Sequence, residues 1–315
     1  MGLTIGVDLG GTKVAAAVVD DDGVILARTR AETPSTGADP TVNAILAAVK
    51  ELRDQYAQVE AVCIAAPGFI DEQRATVLFL TNLSGWRFRP LRHELQQLLG
   101  LPVVIENDAN AAAWGEAHFG AGRGEAEVVC VTVGTGIGGG IVTGGRLYRG
   151  RFGVAAEVGH VRVEPNGRPC GCGNRGCWEQ YCSGNALVRE ARLRAADDRS
   201  AASLMLSYGD GSPEGIHGLH VTDAAHRGDP VAIASFESVG RWLGQGLADL
   251  AAVLDPGCFV IGGGVSEAGD LLLEPARRRY AEVLTGRAYR PLAEIRQATL
   301  GNDAGVVGAA DLARS

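Results

Sequence analysis

The chain has 315 residues, enough for two packed lobes, and its 46% apolar and 21% charged residues give the balance of a water-soluble globular protein. With 37 acidic against 29 basic side chains the formal net charge is −8, without a block of like charge, which argues against a general nucleic-acid or anionic-membrane surface. No apolar run approaches the ~20 residues of a membrane helix, and no basic leader precedes the first strand, so the expectation is a cytoplasmic protein with neither membrane nor nucleic acid as a partner.

The elements follow from hydrophobic period. Residues 3–9 and 13–20 read as strands joined by a tight Gly-Gly turn, with a third strand after Asp21-Asp22-Gly23. A helix over 39–57 places Ile45, Leu46, Val49 and Leu52 on one face. Next come a strand at 59–66, a turn at Pro67-Gly68, a strand near 76–80, a helix near 90–99, a strand at 102–106 and an Ala-rich helix at 109–118. The pattern then restarts: a strand at 127–133, a glycine turn at 134–140 and a second strand beginning at 141. This echo of strand–glycine turn–strand suggests two similar lobes. Beyond it the chain is mostly helical, at 183–196, 220–227 and 229–254, with a loop at 207–219. A strand at 258–261, a glycine run at 262–264, further helices and a strand near 293–299 complete it.

Three loops carry the glycines. The segment VGTGIGG contains G-x-G-x-x-G, but a dinucleotide fingerprint needs a helix opening at the third glycine, and here a strand follows. A glycine hairpin of this kind presents backbone N–H groups to phosphate oxygens. The first loop, Asp8 to Lys13, adds a carboxylate placed to hold hydrated Mg²⁺, a hydroxyl and an ammonium. Either loop alone reads best as a plain tight turn. Together with Gly262-Gly263-Gly264 after a third apolar strand, they favour a nucleotide cleft.

ENDAN at 106–110 follows a buried-looking strand and opens a helix. Asp108 there is either an N-cap or a general base at a strand's C-terminal end; Asn107 beside it suits a substrate hydroxyl. Glu157 and His160 stand three apart, and Glu179 lies beyond the cysteines; each is either a solvated charge or a contact to a polyhydroxylated ligand.

Seven cysteines is an odd count, and a reducing compartment disfavours disulfides. Cys63, Cys130, Cys182 and Cys258 are scattered and read as small buried hydrophobes. His160, Cys170, Cys172 and Cys177 fall within eighteen residues, the spacing of a Cys₃His structural zinc, with Gly171, Gly173 and Gly176 letting the backbone wrap. A DNA-reading finger is excluded, since it lacks a second histidine and a base-reading helix.

These segments resemble the ROK family of sugar kinases: DLGGTK at 8–13, ENDANAAAWGE at 106–116, GTGIGGG at 134–140, EVGH at 157–160, CGCGNRGCWEQ at 170–180 with its leading cysteine at 170, LDP at 254–256 and IGGGVS at 261–266. FGVAAEVGH at 152–160 and GNDAGVVGAADLA at 301–313 are similar to the family's actinobacterial ATP-dependent glucokinases. The resemblance implies an α/β, actin-like ATPase fold of the ribonuclease H-like kind, with two lobes around a central cleft. The expected lobes are 1–120 plus 302–315, and 121–301 with the zinc motif and dimerising helices. It implies Asp108 as catalytic base and Asn82, Asn107, Asp108, Glu157, His160 and Glu179 as sugar contacts. Asp8, Gly10, Gly11, Thr12, Lys13, Thr135, Gly136, Gly263 and Gly264 match nucleotide positions. His160 is then both zinc ligand and sugar contact, with one ring nitrogen for each.

The implied activity is transfer of the γ-phosphoryl group of ATP to the 6-hydroxyl of glucose, with Mg²⁺ and a structural Zn²⁺, in a homodimer or homotetramer. N-acetylmannosamine, N-acetylglucosamine and fructose stay open as alternative sugars, and polyphosphate as an alternative donor. The family also includes sugar-responsive repressors, but those carry an N-terminal helix-turn-helix segment, whereas this chain begins a strand at residue 3.

Overall fold

Alternation of apolar residues builds the first sheet. In a computed structural model that describes residues 2–35, 37–80 and 85–315, β1 (Leu3–Leu9) turns into β2 (Lys13–Val19) and then β3 (Ile25–Glu32). The chain continues through α1 (Ala38–Gln55), β4 (Val59–Ala66), the small hairpin β5 (Gly68–Ile70) and β6 (Val77–Leu80), α2 (Leu91–Leu99), β7 (Val103–Asn107) and α3 (Asp108–Phe119). The sheet order is β3-β2-β1-β4-β7. β1–β2 and β2–β3 are antiparallel, whereas β1, β4 and β7 run parallel. The parallel pairs need crossovers, which α1 and α2 supply.

Next come β8 (Val128–Val133), β9 (Ile137–Thr143) and the short β10 (Arg146–Leu147). They are followed by α4 (Glu179–Cys182), α5 (Gly184–Asp197), α6 (Ser203–Ser207), α7 (Gly218–His226) and α8 (Pro230–Leu254). The chain ends with β11 (Cys258–Gly262), α9 (Asp270–Val283), β12 (Glu294–Gln297) and α10 (Ala304–Leu312). The second sheet is ordered β10-β9-β8-β11-β12, the same plan as the first, so the echo in the sequence has a structural counterpart. Two compact units result: residues 1–130, 139–156 and 298–315 form one, and 131–138 with 157–297 the other.

In the first unit, Ile5, Val7 and Leu9 of β1 join Ile45, Val49 and Leu52 of α1 and Leu91 and Leu95 of α2 in one fully buried core. The opposite face takes α10, which sits closer than side chains permit. A Cβ on Gly6 would lie 1.9 Å from Val306 O, one on Gly115 2.5 Å from Ala304 O, and one on Gly308 1.8 Å from Ala111 O. Three glycines therefore set the distance of α10 from β1 and α3. Because the obstructing atom at Gly308 is backbone, Gly308→Ala is expected to destabilise the fold by about 3 kcal/mol, the upper end of overpacking costs. Thermal unfolding checks this, and a Tm within a degree of the parent would show that α10 can shift freely.

In the second unit, α8 is started by Asp229, whose carboxylate accepts from Val231 N and Ala232 N ahead of Pro230 at the first helical position. It packs on α9 through Gly240 and Gly244, where a Cβ would lie 2.7 Å from Leu272 O and 2.2 Å from Ala276 O.

The structure corrects two boundaries and adds four short elements. The glycine turn expected over 134–140 is only Gly134–Gly136, closed by a Gly134 N–H bond to Gly136 O at 3.0 Å, and the strand starts at Ile137. Gly140 lies within that strand, and α3 leaves no room for a side chain there, since a Cβ would press 2.3 Å from the Cβ of Ala113. The loop expected over 207–219 contains a single 3₁₀ turn at Pro213–Gly215, and α7 opens at its end. The elements β5, β10, α4 and α6 were not expected, being two to five residues long and too short for a period to register.

Candidate active site

The ENDAN segment is a strand-to-helix junction at the C-terminal end of β7. Asn107 is the N-cap: its Oδ1 accepts from Asn110 N at 3.0 Å, and its Nδ2 donates to Gly68 O at 3.0 Å. This corrects the capping alternative for Asp108, which is instead the first helical residue, half-buried, with its Oδ1 accepting from Ala109 N at 2.9 Å. One amide donor and one lone pair of Asn107 remain for a ligand.

Asp8, Ala65 and Glu106 are in register across β1, β4 and β7, which puts Asp8 about 10 Å from Glu106 at two strand spacings. The C-terminal ends of these three parallel strands share one edge, the usual ligand edge of an open α/β sheet. Burial pushes the Asp8 carboxyl above its ordinary range, while the Lys13 ammonium pulls it down. The turn after β1 is closed by Gly10 N–H to Lys13 O at 2.9 Å, and Thr33 fastens it with a hydroxyl bond to Gly10 O at 2.7 Å. Gly11, Thr12 and Lys13 are exposed, and a Cβ on Gly11 would meet nothing within 4 Å. Packing therefore gives no reason for a glycine there, whereas close approach of a ligand to the backbone does.

In the second unit, Gly134–Gly136 is held by a Gly184 N–H bond to Gly134 O at 2.7 Å, at the start of α5, and Thr135 is exposed. Gly263 follows β11 with φ 83°, where a Cβ would lie 2.6 Å from Val133 O, and Gly264 has open space around it. Glu179 leans on the same loop: a Cβ on Gly136 would stand 2.8 Å from its Oε2.

His160 ends a short 3₁₀ turn at Val158–His160, and the structure gathers Glu157, Glu179 and the three clustered cysteines around it. Its Nδ1 is 3.7 Å from Cys170 Sγ and 3.9 Å from Glu179 Oε1, while its Nε2 faces Glu157 Oε2 at 4.0 Å. Burial raises the Glu157 carboxyl, the His160 ring opposes that, and Glu179 adds to it. Cys172 Sγ and Cys177 Sγ are 3.6 Å apart, and the four donor atoms of His160, Cys170, Cys172 and Cys177 all lie within 4.8 Å of one another. Tetrahedral zinc, with bonds of about 2.3 Å to sulfur and about 2.0 Å to nitrogen, needs S···S of ~3.8 Å and S···N of ~3.5 Å. The donors fit that group in type, number and spacing. Gly173 and Gly176 take φ 91° and 76° to bring the sulfurs round, and a Cβ on Gly176 would lie 1.8 Å from Glu164 O. All seven cysteines lie among the described residues, and none forms a disulfide.

Asn82 lies outside the described residues. Glu106, Arg149 and Arg74, which meet at the ENDAN junction, were not among the candidates expected from the sequence, although Glu106 opens the ENDAN motif. A carboxylate near the end of an otherwise apolar strand was the available signal, but its partners are 32 and 43 residues away in sequence. Nor was Glu116 on α3 expected; it is 1% exposed, and its carboxylate accepts from Ala121 N, Thr299 N and Leu300 N and so ties the approach to α10.

Residues 4–315 match the model of the ROK family. A glucokinase of Streptomyces coelicolor is 53% identical over 314 residues, covering 100% of this chain and 98% of the relative. The crystal structure of a ROK family glucokinase from Streptomyces griseus in complex with glucose and AMPPNP is 56% identical, with a TM-score of 0.89 and 99% of each chain covered. At greater distance, an N-acetylmannosamine kinase of Escherichia coli is 35% identical, with 99% of this chain and 98% of the relative covered. The α/β, actin-like ATPase fold expected from the motifs is thereby shown, and over essentially its whole length this chain belongs to the ROK family.

Proposed function

We propose that this chain is an ATP-dependent glucokinase, transferring the γ-phosphoryl group of ATP to the 6-hydroxyl of glucose to give ADP and glucose 6-phosphate. The observation that carries this reading is the end-to-end likeness, at 56% identity, to a glucokinase crystallised with glucose and AMPPNP. Phosphoryl transfer asks a protein mainly for position and charge. In this reading Asp108 takes the O6 proton as the bond from O6 to the γ-phosphorus forms and the bond to the bridging oxygen of ADP breaks. Asn107, Glu157, His160 and Glu179, with Asn82, hold the sugar hydroxyls, each of which both donates and accepts. Gly10 closes the turn with its own N–H, and backbone N–H groups of Gly11, Thr12, Thr135, Gly136, Gly263 and Gly264, together with the Lys13 ammonium, hold phosphate oxygens. Mg²⁺ arriving with the nucleotide supplies charge neutralisation, and Asp8 is the carboxylate placed to take its hydration shell. His160 Nδ1, Cys170, Cys172 and Cys177 would hold a zinc ion whose part is to stiffen the loop carrying the sugar contacts.

An ADP-release assay over a hexose panel tests the substrate. Glucose is expected to give at least a ~10-fold higher kcat/KM than N-acetylmannosamine, N-acetylglucosamine or fructose, a margin of about 1.4 kcal/mol. A preference for N-acetylmannosamine would replace glucose in this reading. We further infer a cytoplasmic homodimer or homotetramer. The family resemblance supports the assembly, and among the described residues no helix is long and apolar enough to cross a membrane. A single monomer-sized species in analytical ultracentrifugation would overturn the assembly.

A further inference from the structure

Glu106 is 2% exposed, and every acceptor site of its carboxylate is engaged. Oε1 accepts from Asn107 N and from Asn110 Nδ2, each at 3.1 Å. Oε2 accepts Arg149 Nε at 2.7 Å, with Arg149 Nη2 also at 2.7 Å and Arg74 Nε at 3.5 Å. Asn110 is thus held twice, through its backbone by the Asn107 cap and through its side chain by Glu106. Asn107 and Asn110 bracket Asp108 on the first turn of α3, so one carboxylate holds both flanks of that residue.

Arg149 reaches this carboxylate from the segment after β10. Its carbonyl accepts from Ala155 N at 3.1 Å, closing a loop whose Gly150 and Gly153 take φ 71° and 84°. A Cβ on Gly153 would lie 2.6 Å from Ile70 O, so the loop is seated on the β5–β6 hairpin. The same hairpin receives Asn107 Nδ2 at Gly68 O. A buried ion pair is an inefficient way to add stability, since apolar replacements of similar volume often serve as well or better. What it adds is a fixed direction, through the forked guanidinium and a carboxylate with no lone pair left over.

We propose that Glu106 and Arg149 are a positioning pair for the Asp108 carboxylate, setting the first turn of α3 so that this carboxylate meets the acceptor hydroxyl in line. The inference rests on the reading of Asp108 as general base. Neither residue of the pair needs to touch substrate; they act through Asn107 and Asn110. A misplacement of about 1 Å at a reacting group costs on the order of 100-fold in rate.

The test is steady-state kinetics with glucose and ATP on Arg149→Met, Arg149→Lys, Glu106→Gln and the Glu106→Gln/Arg149→Met double variant, assayed below each variant's own Tm. Arg149→Met is expected to lower kcat about 10- to 100-fold with the glucose KM within threefold, and Arg149→Lys to recover most of the loss. The double variant is expected to be no slower than the slower single one, because the two residues act as a unit. If either Glu106 variant does not fold, the Met and Lys variants alone decide the matter. A normal kcat with a lowered Tm would overturn the proposal by showing a purely structural pair, and so would a change confined to KM. Asp108→Asn measured alongside separates the two failures. If it is slow while Arg149→Met is normal, only the positioning role falls; if it is itself fast, the base reading falls and takes this inference with it.

Discussion

Asp108→Asn is expected to lower kcat for glucose phosphorylation at least ~100-fold, equivalent to about 2.7 kcal/mol of barrier, while the dissociation constant for glucose changes by less than threefold. Asparagine keeps the size of the side chain and an oxygen able to accept from Ala109 N, as the aspartate does at 2.9 Å. It cannot accept the O6 proton at neutral pH. The alternative cause of a large effect, loss of a helix cap, is worth only about 0.5–2 kcal/mol and acts on stability. It also belongs to another residue, because Asn107 supplies the cap. The substitution therefore separates base chemistry from helix formation. Calorimetric titration with glucose and single-turnover phosphorylation are the two measurements needed. A kcat within threefold of the parent would remove the base from the mechanism.

The ENDAN junction and the residues that support it were unequally visible in the sequence. The strand and helix on either side of ENDAN were legible, because four apolar residues run into a polar cluster that opens an Ala-rich segment. Which of Asn107 and Asp108 would cap α3 was not, since both are good N-cap residues and the choice depends on the exit direction of β7. The pair formed by Glu106 and Arg149 was hidden for a different reason. Its partners are separated by 43 residues, and nothing local to Arg149 distinguishes it from the chain's solvated arginines. The spacing of α10 shows a third limit. Gly6, Gly115 and Gly308 look like ordinary glycines in a glycine-rich chain, and only the packed structure shows that each faces a backbone carbonyl. By contrast, the cysteine cluster was legible in full, because its ligands lie within eighteen residues and glycines separate them, so that local chain geometry alone brings the sulfurs together.

Removing the metal from that cluster, by chelation or by Cys172→Ser, is expected to weaken glucose binding about 10-fold while changing the dissociation constant for ATP less than threefold, the scale on which support of a bound group acts. The loop has two anchors, and they protect different residues. Trp178 is buried, donates through Nε1 to Trp242 O at 2.7 Å and packs on Gly246 of α8, where a Cβ would lie 2.1 Å from its ring. Glu179 follows it directly, so packing fixes its backbone, while its Oε1 accepts from Cys170 Sγ at 3.0 Å and from Gln180 Nε2 at 3.3 Å. His160 has no such anchor; its Nδ1 faces Cys170 Sγ, and its ring direction depends on what occupies the space among the sulfurs. With Nδ1 committed to a metal, Nε2 stays directed toward Glu157; with it released, the ring is free to rotate and the two lose their common orientation. The loss in sugar affinity should accordingly pass through His160 and Glu157. His160→Gln and the metal-free parent should then weaken glucose binding to a similar extent, and combining them should add little. Metal content by atomic absorption and glucose and ATP titrations on the same samples provide the comparison. A metal-free protein that binds glucose as tightly as the metal-loaded one would show that packing around Trp178 shapes the pocket without the ion.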